Sequence, residues 1–145
     1  MSRSERMKPV LRVAENRERV SVKRLNEWQQ LLAIQENKLL ELREYRDEYT
    51  QHFQMNSTQG MSTVRMQDYR IFLQKLNQAI EEQVKVVRQT HEDCESCRKQ
   101  WQVIHGKTKA VDHLVDRFKA QELADIERAE QKESDERGQY QKSRY

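Results

Sequence analysis

Cys94 and Cys97 form a C-x-x-C pair, with His91 three residues before it and His105 eight after it. Thiolate and imidazole are the ligands of structural zinc, which takes four of them. A vicinal dithiol can also cycle between thiol and disulfide, a use that in thioredoxin-like proteins needs a strand leading into the helix. Both chemistries make demands on the surrounding elements. No second C-x-x-C exists, and one continuous helix cannot wrap four ligands around an ion. No strand pattern precedes the pair. The expectation is two reduced thiols on an inward helix row, with metal or redox use as the other reading. His52, His91, His105 and His113 make no H-E-x-x-H spacing. The chain has no glycine-rich phosphate loop and no G-x-S-x-G. Its many carboxylates can all lie on solvated helix faces, whereas a hydrolytic pair needs a concave site that excludes water. The residues therefore predict no catalysis, no metal and no cofactor.

The elements behind these residues are set by an apolar beat with gaps alternating between three and four. It runs through Leu11, Ala14, Leu25, Trp28, Leu32, Leu39, Leu42, Tyr49 and Phe53, with Glu18, Ser21, Gln35 and Arg46 as polar members. It resumes at Tyr69, Phe72, Leu76, Ala79, Gln83 and Val86. Such spacing marks a helix packed on another helix along a narrow seam. The break, Gln54 to Gly60, is rich in turn formers. The predicted fold is all-α, an elongated antiparallel two-helix coiled-coil hairpin in one domain. Helix one spans about 6–53, the turn about 54–63 with Ser62 or Thr63 as N-cap, helix two about 64–137, and a frayed tail 138–145.

Composition supports this reading. Hydrophobic and charged residues each make up 35% of the 145 residues, and mean hydropathy is −1.13. Scattered, that mixture would read as disorder, but here it is phased. Only three Gly and one Pro interrupt it. A net charge of +3 with both signs interspersed is a solvated surface and no nucleic-acid footprint. A basic bias between Arg3 and Arg24 fits a solvated face, or attraction to an acidic partner or an anionic membrane surface. No apolar run reaches the ~20 residues of a membrane span, so the expected location is cytoplasmic and at most peripheral to a membrane.

With the turn centred near Gln59, partner residues have numbers adding to about 118. Tyr49 then faces Tyr69, Tyr45 lies beside Phe72, Leu42 meets Leu76, and Ala14 comes near Ile104. The inner row of helix two begins as Phe72, Ala79 and Val86. It then gives way to Val87, Cys94, Trp101, Thr108 and Val115, which predicts a locally irregular supercoil. Packing should loosen where Glu18 and Ser21 meet Trp101 and Cys97. Beyond about Asp112 helix two should outrun helix one. That would leave Val111, Leu114, Val115, Phe118 and Ile126 as an unpaired apolar stripe suited to binding.

The aromatics beside the turn are the most specific feature. Tyr45-Arg46-Asp47-Glu48-Tyr49, Gly60, and the run Tyr69 to Gln83 (YRIFLQKLNQAIEEQ) closely resemble the FliJ family of bacterial flagellar type III export. Pro9-Val10-Leu11, Trp101 and the charged run Gln131 to Glu136 resemble its ends. The resemblance implies a hairpin similar to the gamma stalk of rotary ATPases. It implies three partners: the hexameric flagellar export ATPase, the export gate membrane protein FlhA, and flagellar substrate chaperones. The gate-binding surface carries over onto Leu42, Tyr45, Tyr49, Phe72, Leu76, Ala79 and Gln83, the last standing where many members have histidine. The end carrying both termini would enter the ATPase ring, with Val111, Leu114, Val115 and Phe118 as its contacts. The place would be the cytoplasmic face of the inner membrane at the flagellar basal body. The stalk of a virulence-type secretion system, or a generic coiled-coil scaffold, is the alternative.

Overall fold

The computed structural model describes residues 1–144. It consists of two long helices packed against each other, α1 (Arg3–Ser57) and α2 (Thr63–Ser143). No strand occurs among the described residues.

Each helix end is explained by its own side chains. The hydroxyl of Ser2 accepts the Glu5 N–H at 3.2 Å and its carbonyl accepts from Arg6, so Ser2 is the N-cap of α1. The helix therefore starts at Arg3, ahead of the expected position near residue 6. It continues through Pro9, forgoing the one bond that proline cannot donate. At the far end, the Ser57 and Thr58 hydroxyls donate to the carbonyls of Gln54 and Met55. These contacts carry α1 four residues past Phe53. Gly60 then adopts φ +90°, the left-handed conformation that a side chain would strain. Ser62 accepts the Arg65 N–H at 3.3 Å and caps α2. The turn is thus shorter than the expected 54–63. The tail expected to fray from residue 138 is helical to Ser143.

The chain divides into two compact units. Within Val22–Gln100 the helices run antiparallel: Phe53 and Tyr49 meet Tyr69, and farther from the turn Gln35 meets Gln83. The partner numbers of Tyr49 with Tyr69 and of Gln35 with Gln83 add to the expected 118. The buried side chains are Leu25, Leu76, Ile80, Thr90, Cys94 and Cys97. This corrects the inner row of α2. Leu73, Ile80, Val87 and Cys94 face inward with Tyr69, Leu76, Gln83 and Thr90, while Phe72 and Val86 are exposed. The row holds one phase, so the predicted shift of the seam does not occur.

The second unit comprises Met1–Ser21 and Trp101–Tyr145. Here Thr108 donates to the Ala14 carbonyl at 3.2 Å, one turn past the expected Ile104. Ser4 reaches Glu122. Helix α1 therefore accompanies α2 about ten residues beyond Asp112. Val115, expected to be unpaired, is only 2% exposed. Val111, Leu114 and Phe118 are half-buried, and Arg3 stands over the Phe118 ring at 5.8 Å. The stretch expected to pack loosely is closed by polar groups instead. Ser21 is buried, Glu18 pairs with Nδ1 of His105, and the His105 ring stacks on Trp101. The Trp101 indole N–H is enclosed without a partner.

Candidate functional site

Five rings converge beside the turn because α1 and α2 each present aromatics one turn apart. Phe53 stacks on Tyr69 with centroids 3.6 Å apart, and Tyr49 stacks on Tyr69 at 4.8 Å. Phe72 packs tilted against Tyr49 at 4.7 Å and edge-on to Tyr45 at 6.1 Å. Tyr45 completes the set by stacking on Tyr49 at 6.4 Å. Such pairs contribute about 0.5–1.5 kcal/mol beyond their burial. Burial raises the Tyr49 hydroxyl pKa, and the neighbouring Tyr69, Tyr45 and Asp68 add to the shift.

The seven residues of the expected docking surface separate into two groups. Tyr45 is 49% exposed and Phe72 is 37% exposed, so a partner can reach both rings. Leu76 is 7% exposed and belongs to the core. Leu42, Tyr49, Ala79 and Gln83 are half-buried. Gln83 is also engaged across the seam, its Nε2 donating to Oε1 of Gln35 at 2.8 Å and to the Gln35 carbonyl at 3.0 Å. The exposed part of the cluster is therefore an edge-to-face pair of rings on a braced aromatic base. A cleft of about 140 Å³ opens between Tyr49, His52, Phe53, Asn56, Arg65 and Tyr69.

In the second unit, Ser4 donates its N–H to Oε1 of Glu122 at 3.0 Å and its hydroxyl to Oε2 at 2.7 Å. These bonds, the backbone one first, hold the Glu122 carboxyl below the usual range, against partial desolvation. A carboxylate from α2 thus caps the first turn of α1, where the helix dipole favours negative charge. The Ser2-x-x-Glu5 spacing, a capping pattern, was the sequence signal for this early helix start.

Cys94 and Cys97 are both free and buried. Among the described residues no three His, Cys, Asp or Glu side chains stand where they could share a metal ion. None of the described helices is long and apolar enough to cross a membrane.

The sequence profile of the flagellar FliJ protein family matches residues 3–144. The chain belongs to the FliJ family. Neither a curated protein nor a solved structure gives a match. FliJ-family membership ties the chain to flagellar type III protein export.

Proposed function

We propose that this FliJ-family protein is the central stalk of the flagellar export ATPase ring, links the ring to the export gate FlhA, and escorts substrate chaperones. The observation that supports gate docking is the exposure of Tyr45 and Phe72 on an otherwise packed aromatic cluster. Tyrosine and phenylalanine at the centre of a contact give large apolar area at small entropic cost, the pattern of binding hot spots. Leu42, Tyr49, Leu76, Ala79 and Gln83 continue that surface along the seam, and those that keep partial exposure frame the pair.

The ATPase ring meets the end that carries Ser4 and Glu122. There Val111, Leu114 and Phe118 offer partial surface, and Val115 holds the helices together from within. The site of action is the cytoplasmic face of the inner membrane at the flagellar basal body, reached through partners.

The test is binding of the Tyr45→Ala/Phe72→Ala protein to the soluble domain of the cognate gate. Helicity should stay unchanged while affinity falls at least tenfold. Normal gate binding by this variant would show that the cluster only closes the hairpin. An ATPase assay with the cognate export ATPase tests the stalk role, with stimulation by the wild-type protein as the expected result.

A further inference from the structure

The two flanks of the Val22–Gln100 unit differ in chemistry. One carries a polar groove between Arg70, Gln74, Asn77, Gln78 and Glu81, where Arg46 donates to Asn77 at 3.3 Å. The other carries Tyr45 and Phe72 and, past Lys38, presents further apolar side chains away from the turn. On α1, Leu31, Lys38 and Tyr45 recur every seventh residue and so share a flank, with Ile34 beside them. On α2, Phe72, Ala79 and Val86 recur in the same way. The Tyr45–Phe72 edge contact and the Gln35–Gln83 bonds fix the antiparallel register. Stepping one heptad from Tyr45 and Phe72 brings Lys38 level with Ala79. A second step brings Leu31 level with Val86. Leu31 is 38% exposed, Val86 42% and Ile34 52%.

We propose that this whole flank, from Tyr45 and Phe72 to Leu31 and Val86, docks an amphipathic α-helix of a partner protein with basic residues along its edges. The proposal shares Tyr45 and Phe72 with the gate-docking reading and extends that surface. Three features support this occupant. Apolar pairs stand two heptads apart, about 21 Å, with Lys38 and Ala79 between them, and a helix laid along the flank can meet both pairs. Ala79 sits at the centre of the stripe, and its small side chain leaves room for a large apolar residue of the visitor. The rim carries Glu41, Glu48, Asp68 and Glu82 against Lys75, with Lys38 within the stripe itself, all exposed. This acidic excess attracts lysine or arginine beside the visitor's apolar stripe. It repels the same flank of a second copy.

The probe is a fluorescent 21-residue helical peptide with leucines alternately three and four residues apart and lysines at the flanking positions. A counterpart carries glutamates instead. Anisotropy titration of the full-length protein should show binding of the lysine peptide and at least tenfold weaker binding of the glutamate peptide. Leu31→Glu/Val86→Glu, or Ile34→Glu as an independent exposed site, should weaken binding at least tenfold with helicity intact. Leu40→Glu, exposed on another face, should leave affinity within twofold. Equal effects of Leu40→Glu and Leu31→Glu/Val86→Glu, or equal binding of both peptides, would overturn the proposal. So would a sedimenting dimer abolished by Leu31→Glu/Val86→Glu, which would give the flank to a second copy. The gate reading is judged separately. If Tyr45→Ala/Phe72→Ala loses the gate domain while no flank variant affects the lysine peptide, gate docking stands and this extension falls.

Discussion

Substituting Gln83 alone should cost stability that substituting its partner as well restores. Gln83 is half-buried and donates twice to Gln35, once to the side chain and once to the carbonyl. A neutral hydrogen bond contributes a net ~0.5–1.5 kcal/mol, so Gln83→Leu forfeits about 2 kcal/mol. The leucine returns about 1 kcal/mol through extra apolar burial at ~25 cal/mol per Å². The single variant should therefore be about 1 kcal/mol less stable, with the Gln35 amide left facing an apolar neighbour. Gln35→Leu loses only the side-chain bond, and its own burial gain offsets that loss. The double variant has no orphaned amide and gains apolar area on both helices, so it should equal or exceed the wild type. Urea unfolding followed by circular dichroism would then give a coupling energy of about 1–2 kcal/mol. Single effects that add to within ~0.5 kcal/mol would refute the view of Gln35 and Gln83 as one polar clasp. Gate binding by the same double variant separates the two roles of Gln83: a loss is expected where Gln83 frames the docking surface, and normal binding would confine it to the clasp with Gln35.

Two further tests address the end that carries Ser4 and Glu122. Val115→Ala removes apolar volume at a site 2% exposed and should cost about 2 kcal/mol, whereas Val103→Ala, on exposed surface, should cost under ~0.5 kcal/mol. Denaturant midpoints of the two variants decide this. The folded carboxyl of Glu122 titrates below its ordinary value of 4.5, so its contribution is fully present above that pH and is lost as pH falls through the lower, folded value. Glu122→Gln should accordingly speed amide exchange in the first turn of α1 at neutral pH, and its difference from wild type should vanish in acid.

The pair of helices, the turn at Gly60 and the Tyr49–Tyr69 register could all be read from sequence. The apolar beat is strong in α1, and Asn56, Ser57 and Gly60 punctuate the chain clearly. The inner row of α2 was harder, because apolar residues occur as adjacent pairs: Phe72–Leu73, Ala79–Ile80 and Val86–Val87. Either member of each pair satisfies the local spacing after Tyr69. The discriminating signal is long-range, since Leu73, Ile80, Val87, Cys94, Trp101, Thr108 and Val115 keep one seven-residue series throughout. In that series Phe72 and Val86 have no place, and both face outward. The reach of α1 to Glu122 was hidden for a different reason. The bonds from Ser4 cross between helices at positions with no apolar signature. Ser21 and Glu18 looked like weak points because polar seam residues fail an apolar count even when they are satisfied.

Past Glu122, α2 continues to Ser143, and every side chain from Asp125 to Ser143 is exposed. Its side-chain bonds there are local, Gln131 to Asp135, Arg137 to Glu133 and Ser143 to the Tyr140 carbonyl. Pairs such as the Arg137–Glu133 bridge stabilise a helix by about 0.2–0.5 kcal/mol each. An exposed helix of this length, without a packed face, lies close to the balance between helix and coil in water. Small energies can therefore shift it either way. A partner that touches only one or two turns would lengthen the ordered rod, and a like charge or a bend imposed at Gly138 would shorten it.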